Sequence, residues 1–297
     1  RGLGDVYKRQ GRHYRLDAIA LSRACGVWAS IKVVEAVADG TGSVELHPDR
    51  IKPIVPTMEV DGKLWVPHPS GEIITPYTVA LEKEFHEVRL KLASEYGVLN
   101  HLNTIPVRGP SDWIGIAASG HTFHETLEAL RLLGFQTSDE LRAAGIRLFK
   151  LGMPVPLDAG QVREFAEGLA EVVVVEEKAP NLEWLVKDAL YGRADAPMVY
   201  GKHAPNDADL FPMTGTLEAD SIAPMLRRRL AEEQGVPPYI VFGDVTLRSM
   251  ARDYPENPSE MHAISGVGEA KFRAYGEAFL TEIRDHLRVN PKRRFGG

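Results

Sequence analysis

Cysteine is nearly absent from this sequence, which has one, Cys25, among 297 residues. A single cysteine excludes a disulfide within the chain. Iron–sulfur clusters are held by several cysteine ligands, so the chain cannot bind such a cluster alone. A reducing, cytoplasmic setting is the expectation for a chain without disulfides.

Long apolar runs are also missing. No stretch of about 18 apolar residues occurs, so we expect no membrane span and no membrane partner. The chain has no secretory signal and begins at Arg1 rather than Met, which suggests a fragment or a processed product. Residues 1–10, RGLGDVYKRQ, have no helical or strand periodicity and resemble a translated sequencing adaptor. We therefore expect them to be a non-native leader outside the fold.

Several motifs of catalysis are absent. The sequence contains no phosphate-binding loop, no dinucleotide glycine pattern and no Gly-x-Ser-x-Gly nucleophile elbow. ATP-driven motor activity is thereby excluded. The Gly-Asp-Gly signature of thiamine diphosphate sites is missing too, because Ala38-Asp39-Gly40 lacks the first glycine.

Charge is distributed unevenly along the chain. The net charge is −6, yet residues 226–297 contain 12 Lys and Arg against 10 Asp and Glu, which leaves −8 for residues 1–225. An acidic part followed by a mildly basic part fits two different kinds of binding partner. A difference in net charge of this size does not by itself identify either partner.

The pattern up to residue 99 is mixed. Residues 16–30 have apolar positions at helical spacing, and the run IKVVEAVADG after them favours a strand. Residues 46–99 form a proline-rich linker. Within it, Asp61-Gly62 predicts a tight hairpin turn, and residues 76–99 predict an amphipathic helix.

From about residue 112, apolar strands alternate with helices of about 12 residues. The predicted strands are DWIGIAAS, GIRLFKLGM, EVVVVEE and PMVYGK. This alternation predicts an α/β fold with a doubly wound parallel sheet covered on both faces. After Leu226 the pattern changes to short helical segments separated by Gly and Pro, which predicts a small all-α bundle.

Candidate ligand-adjacent residues lie where two predicted strands end. Ser119-Gly120 ends one strand and opens a helix, where free N–H groups can bind an anion, or where Ser119 is only a helix cap. Glu176 and Glu177 end the third strand, either beside a ligand or in a solvated turn. His121 and His124 have a metal-compatible spacing, but no third ligand is apparent.

Residues 17–225 resemble the thiamine-dependent indolepyruvate:ferredoxin oxidoreductases. The resemblance is carried by ALSRACGVWASIKVV, VRGPSDWIGIAASGHTFHETLEALRLLG, GIRLFKLGMPVPLD and EVVVVEEKAPNLEWLVKDALYG. It implies a remnant of the pyrimidine-binding domain at 11–45 and a transketolase C-terminal-like domain at 100–225.

The family oxidatively decarboxylates aryl 2-oxoacids to acyl-CoA. It uses thiamine diphosphate, magnesium and iron–sulfur clusters, and passes electrons to ferredoxin. Because the diphosphate-binding motif and the cluster cysteines are missing here, no catalytic residue is carried over. We expect this chain to bind none of these cofactors alone and to be inactive without the remainder of the oxidoreductase.

Residues 226–288 resemble the HRDC domain of RecQ-type helicases, and residues 291–297 form a basic tail after a domain at 226–290. The sequence segments QGVPPY and ISGVG carry the resemblance. It implies weak binding of single-stranded DNA. The Gly266-Val267-Gly268 turn can offer N–H groups to a phosphate, and Lys271 and Arg273 can neutralise backbone charge. Tyr239 either stacks on a base or packs inside the bundle.

Two functional interpretations follow. The chain is an oxidoreductase fragment joined to a nucleic-acid-binding domain, or a RecQ-like accessory protein without catalysis. The join falls at Leu226–Leu230, where LRRRL fits both neighbours. A chimera created during sequence assembly and a true fusion both remain open.

Overall fold

A computed structural model describes residues 3–39, 52–203, 210–233, 244–268, 272 and 276–289. The chain divides into two compact units, Arg1–Ala223 and Pro224–Gly297. Helix α9, Ala219–Glu233, runs across this division with Pro224 inside it. Within the described ranges no helix is long and apolar enough to cross a membrane.

The first unit begins with helix α1, Leu3–Cys25. Residues 3–10 are therefore helical although their sequence has no helical periodicity, and their being a non-native leader stays a prediction. The expected strand over IKVVEAVADG is wrong, because its described part holds only the short helix α2, Glu35–Ala38. A strand needs a neighbour to pair with, and the described residues offer this run none.

The hairpin and the long helix are confirmed. Strands β1, Glu59–Val60, and β2, Lys63–Leu64, pair antiparallel around Asp61 and Gly62, whose φ angles of 51° and 72° suit a primed turn. Helix α3, Tyr77–Glu84, continues through a π-helical turn into α4, Leu90–Leu99. A small core of Leu21, Cys25, Leu92 and Tyr96 joins α1 to α4.

The predicted α/β class is confirmed by a five-stranded sheet. Its strands are β3, Asn103–Val107; β4, Ile114–Ser119; β5, Ile146–Leu151; β6, Glu171–Val175; and β7, Met198–Tyr200. Their order is β3-β5-β4-β6-β7, with four strands parallel and β3 antiparallel to β5. Strand β3 was not predicted, and its polar residues and Pro106 are tolerated because it lies at the sheet edge.

Helices cover both faces of this sheet. They are α5, Gly120–Leu132; α6, Ser138–Ala143; α7, Ala159–Ala166; and α8, Asn181–Leu190. Helices α7 and α8 share a buried core with Phe149, Val172 and Val174. Lys150 points to the opposite face, where its Nζ lies 5.6 Å from the Phe123 ring centre of α5.

The second unit is helical in its described residues, as predicted. Besides most of α9, it contains α10, Asp244–Asp253; α11, Pro258–Ala263; and α12, Glu277–Val289. Its buried core consists of Met250, Met261, Ile264, Val267 and Leu280.

Candidate functional site

The carboxyl ends of β4 and β6 lie side by side at one edge of the sheet, and the space outside them is called the crevice here. Strand β4 leads through α5 towards β5, on one side, whereas β6 leads through α8 to β7, on the other. Since α5 and α8 cover opposite faces, the chain leaves these two adjacent strands in opposite directions. This is a topological switch point, the place where ligands bind in open α/β sheets.

The β4 side of the crevice contains Ser119 and Gly120. Ser119 has the extended backbone of an N-cap, but its side chain accepts no hydrogen bond from α5. Gly120 has a φ angle of +56° and open space beside its Cα. Glu125, one turn further on, lies 3.7 Å from His121 Nε2. The two predicted residues thus border the crevice, and their contact with an anion stays a prediction.

The β6 side contains Glu176 and Glu177. Glu176 accepts hydrogen bonds from the backbone N–H groups of Leu182 and Glu183, at 2.7 and 2.9 Å, and so caps α8. Burial raises the pKa of Glu176, while these two N–H donors oppose the shift. Glu177 Oε1 accepts from Leu217 N at 2.9 Å. Both carboxylates therefore bind the chain's own backbone here.

Two buried charged residues near the carboxyl end of β6, Glu183 and Lys202, were not predicted. Glu183 is fully buried and accepts from Lys202 N at 2.6 Å and from Lys187 Nζ at 2.6 Å. Lys202, 1% exposed, donates from Nζ to Pro212 O at 2.5 Å. Burial lowers the pKa of Lys202, against the raising effect of Glu176 and Glu177. The signal in the sequence was an acidic residue within the apolar run NLEWLV.

His124 is a buried histidine of α5. Burial, followed by the charges of Lys150 and His121, lowers its pKa to about 4. The described residues contain no group of three or more His, Cys, Asp and Glu side chains able to hold a metal ion. His124 is therefore a neutral, buried imidazole at pH 7.

The candidate nucleic-acid interface lies in the second unit. Gly266 has a φ angle of +92°, and the Thr246 hydroxyl of α10 donates to Ser265 O at 2.8 Å beside it. Val267 N donates to Ile264 O at 3.1 Å, so this N–H is already used within the turn. Gly266 and Gly268 are exposed. The other three predicted residues, Tyr239, Lys271 and Arg273, lie outside the described residues.

The chain is thus an α/β unit with a switch-point crevice, joined to a helical unit. Residues 106–249 match the model of the indolepyruvate oxidoreductase domain, and residues 225–283 match that of the HRDC domain. Both predicted resemblances are confirmed. The two matches overlap at residues 225–249, which include LRRRL.

Among curated proteins, the chain is 48% identical over 65 residues to the ATP-dependent DNA helicase RecQ of Bacillus subtilis (strain 168). That alignment covers 22% of this chain and 11% of the helicase. This chain is also 29% identical over 166 residues to the indolepyruvate oxidoreductase subunit IorA of Methanothermobacter thermautotrophicus. The second alignment covers 56% of this chain and 24% of that subunit. The chain thus spans only small parts of these relatives.

A solved split-gene transketolase, an inactive β4 tetramer, shares 19% identity with this chain at a TM-score of 0.31, covering 43% of this chain and 41% of that one. That TM-score is too low to support a common fold. The α/β class therefore rests on the sheet described above, and the transketolase-like subtype remains a prediction.

Proposed function

We propose that residues up to about 223 are a non-catalytic α/β part of an indolepyruvate-type ferredoxin oxidoreductase. The observation that carries this proposal is the match of residues 106–249 to the model of the indolepyruvate oxidoreductase domain. At the crevice, Glu176 and Glu177 accept hydrogen bonds from backbone N–H groups of the chain itself. The missing diphosphate-binding motif and the single cysteine agree with this proposal.

In the proposed enzyme, thiamine diphosphate, magnesium and iron–sulfur clusters are held by the remainder of the oxidoreductase, which passes electrons to ferredoxin. The reaction is oxidative decarboxylation of aryl 2-oxoacids to acyl-CoA, in the cytoplasm. Thiamine diphosphate would supply the carbanion chemistry, and this chain would supply only a folded surface.

An anaerobic assay tests the proposed inactivity. The purified chain is mixed with indolepyruvate, coenzyme A, thiamine diphosphate, magnesium and methyl viologen, beside a complete oxidoreductase as positive control. We expect reduction of viologen by the complete enzyme only. Substrate-dependent reduction by this chain alone would overturn the proposal.

We also propose that residues 226–290 bind single-stranded DNA weakly. The similarity to part of a RecQ helicase and the exposed glycine turn at Gly266 and Gly268 support this. Lys271 and Arg273 follow the turn in the sequence and are proposed to contact the phosphate backbone. In this alternative, the α/β unit belongs to a DNA-binding accessory protein without catalysis.

Fluorescence anisotropy with a short labelled single strand tests binding, at low and at physiological salt. We expect weak affinity that falls as salt rises. The double variant Lys271→Ala/Arg273→Ala should lose most of it. Arg252→Ala is the matched control, because Arg252 is exposed and pairs with Asp253. A flat titration of the unaltered chain at low salt would contradict the proposal.

The join is proposed to lie within LRRRL, at Leu226–Leu230. Its support is the overlap of the two family matches at residues 225–249. Amplification across this stretch from source DNA decides between a true fusion, which gives one unbroken product, and an assembly artefact, which gives none.

A further inference from the structure

Residues 210–219, named the strap here, cross the carboxyl edge of the sheet between β7 and α9. Phe211 and Leu217 are buried, at 1% and 2% exposed, whereas residues 212–216 face solvent. The strap is therefore seated on the sheet by a few inward residues rather than lying loosely over it.

Polar contacts pin the strap on both sides of the switch point. On the β6 side, Glu177 accepts from Leu217 N at 2.9 Å, and Lys178 Nζ donates to Gly215 O at 2.6 Å. On the α5 side, Glu125 Oε2 accepts from Ala219 N at 3.0 Å. The strap thus bridges the end of β6 to the helix that follows β4.

A third anchor lies beside β7. Lys202 follows that strand, is almost fully buried, and donates to Pro212 O at 2.5 Å. Acidic side chains therefore bind strap N–H groups, while lysines bind strap carbonyls. Each of these hydrogen bonds joins a charged side chain to a backbone group. Such charge-assisted hydrogen bonds are stronger than hydrogen bonds between two neutral groups.

We infer that the strap is an autoinhibitory contact which holds the switch-point crevice shut, so that a ligand enters between the ends of β4 and β6 only after the strap withdraws. A strap that closes the crevice accounts for the hydrogen bonds that Glu125 and Glu177 accept from the strap backbone.

Hydrogen exchange of the full chain, read by mass spectrometry, tests whether the strap is held. In the double variant Glu125→Ala/Glu177→Ala, exchange in the peptide 210–219 should rise about tenfold or more, while β4 and β6 stay protected. Glu164→Ala is the matched control, since this exposed carboxylate of α7 pairs with Arg108 on the surface. Unchanged exchange in the strap would overturn the inference.

Fast exchange in β4 and β6 as well would mean that the double variant unfolds. The pair Glu177→Ala and Glu177→Gln then decides, because only alanine removes the oxygen that accepts from Leu217 N. Equal strap exchange in these two variants would count against the inference.

Access to the crevice is measured with a thiol probe. The buried Cys25 is replaced by alanine, and Ser119→Cys places one thiol on the β4 side. A bulky maleimide should label this thiol several-fold faster with Glu177→Ala than with Glu177→Gln. Equal rates would show that the strap does not close the crevice.

Discussion

Arg147 Nε donates to Asp112 Oδ2 over 2.9 Å, and their side chains are 6% and 0% exposed. The same guanidinium donates to Phe165 O and Glu167 O, at 2.7 and 2.8 Å. Asp112 Oδ2 also accepts from Gly109 N, whereas its Oδ1 is buried without a hydrogen bond. Arg147 therefore joins the start of β5 to the end of α7 and to the loop before β4.

Loss of this arginine should destabilise the first unit strongly. Arg147→Met leaves the Asp112 carboxylate buried without an opposite charge, which typically costs about 3–5 kcal/mol of unfolding free energy. Urea denaturation measures this loss of unfolding free energy. Arg108→Met is the control, because Arg108 is 40% exposed and surface pairs of this kind contribute below about 1 kcal/mol. Similar losses in the two variants would contradict the prediction.

Stability should fall on acidification because of His124. Its pKa is lowered from 6.5 to about 4, so the folded state binds fewer protons than the unfolded chain between these pH values. The free energy of unfolding therefore has its full value above pH 6.5 and decreases as the pH falls towards 4. The decrease due to His124 is at most about 3 kcal/mol. Unfolding of His124→Gln at pH 7 and pH 5 should depend less on pH. The exposed His86→Gln should behave as the unaltered chain does.

The glycine turn of the second unit should tolerate alanine at one position only. Gly266 has a φ angle of +92°, and an added Cβ would overlap with the Thr246 hydroxyl. Gly266→Ala should therefore destabilise this unit by more than about 1 kcal/mol. Gly268→Ala is the matched control, since nothing lies within 4 Å of its added Cβ. Differential scanning calorimetry compares the two, and equal melting temperatures would refute the prediction.

The Cys25 thiol should be unreactive in the folded chain. It is fully buried between α1 and α4, and burial raises its pKa to about 11. The thiolate is the reactive form, so Ellman's reagent should react slowly at neutral pH and quickly in denaturant. Rapid reaction of the native protein would show that this core opens.

Local pattern was enough to predict most of the parallel sheet. The run EVVVV, apolar after Glu171, became β6 and is buried along its whole length, because a strand covered on both faces is mostly apolar. Asp61-Gly62 became a turn because both residues tolerate positive φ angles. Strand β3 escaped prediction, since NTIPV has neither the alternation nor the apolar run that marks a strand.

The candidate site was predicted in position but not in detail. Ser119 and Glu176 border one crevice because parallel strands end at one edge, and the sequence alone implies that. That Glu183 accepts a hydrogen bond from Lys202 N, 19 residues further along the chain, depends on tertiary packing. No local pattern records such a contact.

The sequence by itself determined that two different segments follow one another. Residues 106–249 match one family and residues 225–283 match another, and both matches include LRRRL. It also excluded a phosphate-binding loop and a cluster of cysteine ligands, since those need residues that are absent. Only the tertiary structure decided which groups meet at the crevice. Glu177 and Glu125 accept hydrogen bonds from Leu217 N and Ala219 N, and these contacts between distant residues are set by packing rather than by local sequence.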